Sequence, residues 1–293
     1  MIAHAGKTIG GGLPELRRVL ADRGVSDPIW HEVPKSKKAP DQVRRALDEG
    51  AGLILVWGGD GMVQRCVDVL AGRKKVAMGI IPAGTANLFA SNLGIPKDIE
   101  NAVDVALADH SRRLDIGRIN GEGFAVMAGI GFDARMIADA DSGLKDRFGR
   151  VAYLWTGSKN LRAKPFKAKI VVDGAEWFRD EASCILVGNV GRLFGGVEAF
   201  EDAHPDDGML ELGVVTATGV LHWTRTLAHA VVGSAASSPY ARATKARSIK
   251  ITLDRKVLFE LDGGDREAVK SIRIKVQPDA IRVRVPVDGA PSG

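Results

Sequence analysis

The stretch that decides the fold is Leu53-Ile54-Leu55-Val56-Trp57-Gly58-Gly59-Asp60-Gly61-Met62-Val63-Gln64. It starts with a short apolar run, passes through glycines, and continues into a segment of helical spacing that ends at Leu70. A strand that enters a glycine loop and then a helix is the repeating unit of a parallel sheet covered by helices. The stretch therefore predicts an α/β domain.

The same order of elements recurs one strand later, in Ile80-Ile81-Pro82-Ala83-Gly84-Thr85-Ala86-Asn87-Leu88-Phe89-Ala90. The carboxyl ends of neighbouring parallel strands lie at one edge of a sheet, so we expect the two loops to converge on one crevice. Glycine lets a phosphate group approach the backbone closely, and the N–H groups at the start of a helix attract anions. The two loops together predict a phosphate-binding site.

Three polar side chains in these loops are candidates for contact with a ligand. Asp60 would repel phosphate in a pure anion cradle, so we expect it to bind a cation or to orient a hydroxyl or nucleotide group. The alternative is a tight turn in which Asp60 caps the helix that follows. Thr85 places a hydroxyl beside a glycine, and Asn87 either caps the next helix or contacts the nucleotide.

The remainder of the chain divides into two regions of different pattern. Up to about residue 115, further helices are expected at 13–22, 41–48 and 87–93, with a second apolar strand at 76–81. Beyond it, Asp-Gly and Asn-Gly turns separate short strands, several of which alternate with period two. The predicted strands cover 124–127, 167–172, 183–187, 209–215, 248–253, 257–261, 272–276 and 281–285, and a helix interrupts them at 221–233.

We therefore predict an α/β nucleotide-binding domain over residues 1–115 and a mostly antiparallel β domain over residues 116–293. The last strand is a candidate to return to the first domain. A cleft between two such domains is a natural place for a ligand.

Composition excludes several classes of protein. Apolar residues make up 45% and charged residues 26% of the chain, which favours globular domains over disorder. The two cysteines, Cys66 and Cys184, stand alone, so a disulfide framework is excluded and a reducing compartment is favoured. No apolar run reaches the roughly 18 residues that suggest a membrane-spanning helix. We expect a cytoplasmic protein that is soluble or peripheral to a membrane.

The formal net charge of +5 comes with basic residues that gather in clusters. The clusters are either solvated surface or sites attracted to an anionic bilayer, where each Lys or Arg contributes about 1 kcal/mol. A nucleic-acid partner is disfavoured because the clusters lack interleaved aromatic residues. The clusters are Lys35/Lys37/Lys38, Arg73/Lys74/Lys75, Arg162/Lys164/Lys167/Lys169 and Arg242/Lys245/Arg247/Lys250.

Gly6-Lys7-Thr8 resembles the end of a Walker A motif, but that motif requires a glycine where Met1 stands. We therefore expect a glycine-rich turn after a short first strand that touches the nucleotide.

In its two glycine loops the chain resembles the diacylglycerol kinase catalytic-domain family. That family includes soluble bacterial diacylglycerol kinases, sphingosine kinases and ceramide kinases. The resemblance covers nearly the whole chain and implies an N-terminal domain related to NAD kinases and phosphofructokinases, followed by a C-terminal β-sandwich that helps to hold the lipid. Beyond the two loops, the similar segments are 114–117, 129–134, 188–189, 194–196 and 205–210.

The resemblance also implies roles for particular residues. It implies a structural Mg²⁺ ion held by the side chain of Asp207 and by the carbonyls of His204 and Met209, with Asp115 in an acidic network that leads from this ion towards the active site. Oxygen-only ligands of this kind suit Mg²⁺, while an ordinary β-turn at Asp206-Asp207-Gly208 is the alternative. The implied ATP contacts are Gly58, Gly59, Asp60, Gly61, Met62, Val63, Gln64, Gly84, Thr85 and Asn87.

The chain departs from the family pattern at the catalytic base. The family carries an Asp-Gly-Glu element whose carboxylates are assigned to proton abstraction, and here the glutamate position is Gly264. Asp262 is the first candidate for the base and Asp265 the second. Loss of a general base costs roughly 10²–10⁴-fold in rate, so the departure slows the reaction without abolishing it. Arg65 replaces a family acid and either adds a phosphate contact or faces solvent.

The sequence thus predicts a kinase that uses ATP and Mg²⁺ to phosphorylate a lipid hydroxyl, with diacylglycerol as the default acceptor. Peripheral contact with an anionic membrane and a homodimer are the expected partnerships. The alternatives are a soluble nucleotide kinase of the NAD kinase type and a non-catalytic protein that binds lipid or nucleotide.

Overall fold

The computed structural model describes residues 1–131, 165–192, 198–217 and 239–287. The predicted helix at 221–233, the similar segments at 132–134 and 194–196, and two basic residues, Arg162 and Lys164, lie outside them. The chain forms two compact units. The first unit comprises Met1–Ile116 and Gln277–Gly293, and the second comprises Gly117–Val276.

The first unit is built on a parallel sheet with the strand order β2-β1-β3-β4, followed by the end of the last strand of the chain, β14 (Gly264–Arg284). Arg282 and Val283 of β14 pair with Ala77 and Met78 of β4, also in parallel. The elements are β1 (Ile2–His4), α1 (Gly12–Asp22), β2 (His31–Val33), a short 3-10 helix (Ser36–Lys38), α2 (Ala39–Asp48), β3 (Leu53–Gly58), α3 (Asp60–Leu70), β4 (Ala77–Pro82), α4 (Leu88–Asn92) and α5 (Ile99–Leu107).

Burial explains why these segments adopt this fold. Every residue of β4 is buried, and five of the six residues of β3 are buried, as expected of central parallel strands. The helices bury residues at spacings of three and four, such as Leu16, Val19 and Leu20 in α1. Trp57 of β3 has no exposed surface and is among the largest fully buried side chains of the protein.

The second unit is an antiparallel β structure. Its strands pair in the order β12-β11-β10-β7-β13-β14, while β8 pairs with β13 and β9, and β6 pairs with β5. Its core contains large buried side chains from many of these strands, among them Phe124, Phe166, Ile185 and Ile251. The strands are β5 (Ser111–Ile119), β6 (Glu122–Phe124), β7 (Met127–Ile130), β8 (Phe166–Val172), β9 (Ala175–Ala182), β10 (Cys184–Gly188), β11 (Leu210–Val215), β12 (Ala241–Ala246), β13 (Ser248–Leu261) and β14 (Gly264–Arg284).

Two-residue hairpin turns join three pairs of these strands. Each turn has an acidic or amide residue followed by glycine, with positive φ at both: 49° and 96°, 48° and 92°, and 46° and 77°. This geometry is that of a type I′ turn, which matches the twist of the flanking strands. The turns are Asn120-Gly121, Asp173-Gly174 and Asp262-Gly263.

The predicted fold class, an α/β region followed by an antiparallel β region, is confirmed. Two pairs of predicted strands prove to be single long strands. The segments 248–253 and 257–261 form β13, which has a register shift between Thr252 and Val257, where three charged residues interrupt the alternation. The segments 272–276 and 281–285 both contribute to β14.

Within the described residues, no helix has the length and apolar character needed to cross a membrane.

Candidate functional site

The expected meeting of the two glycine loops is observed in the first unit. β3 and β4 are parallel neighbours whose last residues, Gly58 and Pro82, lie opposite each other. A Cβ atom on Gly59 would lie 3.0 Å from the Cα of Gly84, and one on Gly84 would lie 2.5 Å from the Cα of Gly59. The two backbones therefore touch at positions where any side chain would force them apart.

The first glycine loop also packs closely against the start of α3. A Cβ atom on Gly58 would lie 2.6 Å from the Cβ and Cγ of Met62, one turn into α3. Three residues that we predict to contact ATP have little exposed surface: Met62 is 2%, Val63 4% and Gln64 3% exposed. The side chains of these three residues therefore offer no exposed contact to a nucleotide, and the Met62 and Val63 N–H groups donate to the Gly59 carbonyl.

The second loop is closed by its own asparagine. The Asn87 Oδ1 atom accepts a hydrogen bond from the Gly84 N–H at 2.8 Å, and the Asn87 Nδ2 atom donates to the Gly84 carbonyl at 2.8 Å. Asn87 has the left-handed conformation with φ of 51°, which asparagine tolerates better than most residues. The Asn87 side chain makes no capping hydrogen bond to α4, so the geometry gives it a loop-closing role that is neither of the two roles predicted from the sequence.

Asp60 joins the two loops. Its carboxylate accepts a hydrogen bond from the Phe89 N–H at 3.3 Å, in the first turn of α4. Burial raises the pKa of Asp60 above its ordinary value, while hydrogen bonds from the N–H groups of Phe89, Leu88 and Asn87 partly offset the rise. Asp60 thus caps the neighbouring helix α4 as well as standing in the first turn of α3, which neither alternative in the sequence analysis anticipates.

The start of α3 remains open to a ligand. α3 has 11 residues and begins at the end of β3, so the partial positive charge of its N-terminus points out of the carboxyl edge of the sheet. Gly61 is exposed, and a Cβ atom built on it would meet nothing within 4 Å. Thr85 of the second loop is exposed as well. Backbone N–H groups, an open approach and a nearby hydroxyl form an arrangement that suits a phosphate group.

A third loop lies at the same edge of the sheet. β1 is the parallel neighbour of β3, and the loop that follows it contains Lys7. The Lys7 N–H donates to the His4 carbonyl, and the Gly6 N–H donates to the His4 Nδ1 atom. Burial, together with the nearby Lys7 ammonium, lowers the pKa of His4. The predicted glycine-rich turn after the first strand is present, and its cation adds positive charge to this edge.

In the second unit, Asp262 stands in a hairpin turn and is 5% exposed. Its carboxylate accepts three backbone hydrogen bonds of 2.8–2.9 Å, from the N–H groups of Ala125, Val126 and Met127. The Asp262 N–H donates in turn to the Met127 carbonyl. A carboxylate that holds a buried bend between β6 and β7 is a structural anchor. These surroundings do not suit the role of first-choice base that the sequence assigns to Asp262.

A second buried side chain holds the same bend. The Asn189 N–H donates to the Val126 carbonyl, and the Asn189 Nδ2 atom donates to the Ala125 carbonyl at 3.0 Å. Residues 188–189 belong to the family resemblance, yet the sequence gives no role for Asn189. Its role follows only from the fold, which brings β10 beside β7.

Asp265, the second candidate for the base, differs from Asp262 in exposure. It is exposed at the start of β14 and lies directly opposite Glu260 of β13. Gly264, at the family glutamate position, faces the guanidinium group of Arg266, since a Cβ atom on Gly264 would lie 2.9 Å from Arg266 Nη1. Arg266 forms an ion pair with Glu122. An arginine therefore stands where the turn would otherwise carry an acidic side chain.

The residues implied for the structural magnesium have other partners. The Asp207 Oδ1 atom accepts a hydrogen bond from the Met209 N–H at 2.9 Å, and the Oδ2 atom accepts one from the Lys245 ammonium at 2.9 Å. The Asp115 Oδ1 atom, in the first unit, accepts the Asp279 N–H at 2.9 Å. In the part of the chain that the structure describes, no group of three or more His, Cys, Asp or Glu residues is arranged to hold a metal ion.

Comparison with known families gives two matches in chain order. Residues 3–119 match the diacylglycerol kinase catalytic domain, and residues 125–285 match the YegS C-terminal NAD kinase beta sandwich-like domain. The first match includes both glycine loops, and the second includes the Asp207 turn and the Asp262 hairpin.

Curated relatives are similar over most of their length. A Klebsiella pneumoniae (strain 342) protein named "Probable lipid kinase YegS-like" is 30% identical over 288 residues, which cover 95% of this chain and 94% of the relative. A Bacillus subtilis (strain 168) protein named "Diacylglycerol kinase" is 34% identical over 218 residues, which cover 72% of this chain and 70% of the relative.

Solved structures share the fold. A diacylglycerol kinase from Bacillus anthracis str. Sterne aligns with a TM-score of 0.76 at 22% identity and covers 98% of this chain and 96% of its own. An NAD kinase from Archaeoglobus fulgidus, solved in complex with ATP, aligns with a TM-score of 0.56 at 12% identity and covers 99% of this chain and 95% of its own. These two likenesses concern the fold alone.

Proposed function

This chain belongs to the diacylglycerol kinase catalytic domain family of lipid kinases, and we propose that it transfers the γ-phosphoryl group of ATP to the hydroxyl group of diacylglycerol. The observation that carries the proposal is the contact between Gly59 and Gly84, beside the open N-terminus of α3. Two glycine backbones in contact leave room for phosphate groups at the place where helix N–H groups attract them.

ATP would bind with its phosphates at the start of α3. Gly61 places its N–H at the exposed start of α3, and Lys7 and Thr85 lie in the two neighbouring loops at the same edge. Asp60 keeps these loops together through its hydrogen bond to the start of α4. Mg²⁺, which accompanies ATP in kinases, would neutralise part of the phosphate charge. The contribution of this chain is therefore mostly positioning, which phosphoryl transfer requires above all.

The proton of the acceptor hydroxyl needs a base as the oxygen attacks phosphorus and the bond to the ADP oxygen breaks. We assign this role to Asp265, because it is exposed and stands one residue from the family glutamate position. Asp262 is the weaker candidate, since three N–H groups already occupy its carboxylate oxygens. This assignment reverses the order that the sequence suggests.

Access to a lipid would come from contact with an anionic bilayer. Lys35, Lys37 and Lys38 are exposed on and beside the short 3-10 helix of the first unit. Each contributes about 1 kcal/mol of attraction near an anionic surface. Co-sedimentation with liposomes should rise with the fraction of anionic lipid and fall with salt. Binding that does not depend on anionic lipid would contradict this part of the proposal, which includes the cytoplasmic, membrane-peripheral location.

The experiment offers several acceptors to one pure protein. The protein is incubated with γ-labelled ATP and Mg²⁺ and with diacylglycerol, sphingosine, ceramide or NAD, and labelled products are separated. We expect labelled phosphatidic acid. Label on NAD but on no lipid would favour a nucleotide kinase of the NAD kinase type. ATP binding without transfer to any acceptor would favour a non-catalytic protein.

Two glycine variants show whether any activity depends on the loops. Gly84→Ala places a Cβ atom 2.5 Å from the Gly59 backbone, so the loops must separate, and we expect activity to be lost. Gly52→Ala is the matched control, because it lies at the other end of β3, is exposed, and has nothing within 4 Å of its Cβ position. Activity that survives in Gly84→Ala would refute the assignment of the site.

A further inference from the structure

The acidic turn at Asp207 is where the family resemblance implies a bound magnesium ion. In this chain the two oxygens of Asp207 already have partners, the Met209 N–H and the Lys245 ammonium. The His204 carbonyl, a second implied ligand, accepts the Asp207 N–H at 3.4 Å. The residues of the turn do not fit a magnesium site as they stand, because their oxygens are turned to other donors.

The Lys245 ammonium has a complete set of oxygen partners. It lies 2.9 Å from Asp207 Oδ2, 3.2 Å from Glu211 Oε1 and 2.8 Å from the Asp202 carbonyl. An ammonium group has three N–H donors, so these three oxygens satisfy it. Distances of 2.8–3.2 Å are those of nitrogen–oxygen hydrogen bonds, whereas Mg²⁺ holds oxygens at about 2.0–2.1 Å. The three oxygens therefore lie at distances that fit an ammonium nitrogen and not a magnesium ion.

The fold fixes this lysine in place. Lys245 stands on β12 directly opposite Glu211 on β11, so backbone pairing brings the two side chains to the same face. Glu211 is largely buried, with its side chain 11% exposed, and Asp207 is 27% exposed. Two carboxylates that are partly withdrawn from water require a nearby positive charge.

We propose that Lys245 is a built-in cation that takes the place of a structural metal ion, so that the Asp207 turn of this chain folds without Mg²⁺. The ammonium, like an ion, gathers two carboxylates and one backbone carbonyl from three places in the sequence. Unlike an ion, it is covalently part of β12 and cannot dissociate. Mg²⁺ would then serve only the nucleotide.

The test measures thermal unfolding without nucleotide, in EDTA and in millimolar MgCl₂, with NaCl matching the ionic strength. We expect the wild type to melt at the same temperature in both. Lys245→Met keeps the length of the side chain and removes its charge, so it should melt lower in EDTA. In MgCl₂ it should recover by about 2–4 °C, because an ion can now bind among the three oxygens. Adding Asp207→Asn to Lys245→Met should abolish the recovery.

Lys169→Met is the matched control. Lys169 also pairs with a carboxylate in the second unit, Glu176, but Arg179 pairs with the same carboxylate. We expect it to melt near the wild type and to show no response to MgCl₂. A Lys245→Met variant that is as stable as the wild type in EDTA, or that does not recover in MgCl₂, would overturn the proposal.

A second measurement does not depend on the folding of Lys245→Met. Mn²⁺ binding is followed by electron paramagnetic resonance in the wild type and in Asp207→Asn, again without nucleotide. We expect the two binding curves to coincide, since neither protein holds an ion at the turn. A Mn²⁺ site that is present in the wild type and lost in Asp207→Asn would show that a metal ion, and not Lys245, neutralises the turn.

Discussion

Gly61→Ala separates the ligand role of the first glycine loop from its structural role. Gly61 is the second residue of α3, it is exposed, and a Cβ atom there would meet nothing within 4 Å. Its φ is not positive, so alanine fits the backbone without strain. Alanine is also favoured over glycine within a helix by up to about 1 kcal/mol. The variant should therefore be at least as stable as the wild type.

The same methyl group should weaken ATP binding, because it stands where a phosphate group would approach the start of the helix. Loss of one hydrogen bond to a charged group costs about 1.5–3 kcal/mol. At 1.4 kcal/mol for each tenfold change, this corresponds to a rise in the Kd for ATP of about 10- to 150-fold. A stable protein with weak ATP binding is the expected result.

The assay combines a thermal melt with calorimetric titration of Mg-ATP in the absence of any lipid. Gly52→Ala serves as the control, because it adds the same methyl group at an equally open position at the amino end of β3. We expect its Kd to match that of the wild type. An unchanged Kd in Gly61→Ala, or an equal change in both variants, would refute a phosphate site at the start of α3.

Four further predictions concern carboxylates. Asp262→Asn should lower the free energy of unfolding by about 1–3 kcal/mol in denaturant titration, because its amide group would face three N–H donors. Asp265→Asn should melt like the wild type and lower kcat by roughly 10²–10⁴-fold; a stable, fully active variant would contradict the base assignment. Gly264→Glu should raise kcat by up to about 10²-fold, since the family acid returns beside the guanidinium group of Arg266; a lower kcat in a stable variant would argue against it. Burial raises the pKa of Asp60 in the folded state, so its contribution to stability is fully present below the ordinary pKa of 3.8 and is lost as pH rises through the folded value. The melting temperature of Asp60→Asn minus that of the wild type should accordingly increase with pH over this range, and a difference that does not vary with pH would refute the shift.

The elements next to the glycine loops are predictable from the sequence because local signals decide them. Apolar runs of strand length and helical spacing define β3, α3 and β4, and Asp-Gly or Asn-Gly pairs mark two of the hairpins. The sequence also predicts that the loops after β3 and β4 meet, since parallel neighbours end at the same edge. α5 was not predicted, although Asp98 caps it by accepting the Asn101 N–H.

The roles of individual side chains are harder to predict because they depend on contacts distant in sequence. Asp262 looks like a catalytic carboxylate in an Asp-Gly element, yet residues 125–127, more than 130 positions away, occupy its oxygens. In the sequence, Lys245 is one member of a basic cluster. The pairing of β12 with β11 places it directly opposite Glu211. Only the fold shows that its charge is directed to Asp207 and Glu211. Sequence patterns identify the turn or the cluster to which a residue belongs, but only the tertiary structure shows which groups its side chain contacts.

Parallel reactions with ATP labelled at the γ or the α position show whether this protein transfers the terminal phosphate of ATP to a lipid hydroxyl. Each contains the full-length protein, Mg²⁺ and diacylglycerol in mixed micelles, and the lipid fraction is counted. We expect label in phosphatidic acid from γ-labelled ATP, none from α-labelled ATP, and none with Gly84→Ala. No labelled lipid from γ-labelled ATP, with the same result for other lipids that carry a hydroxyl group, would refute lipid kinase activity.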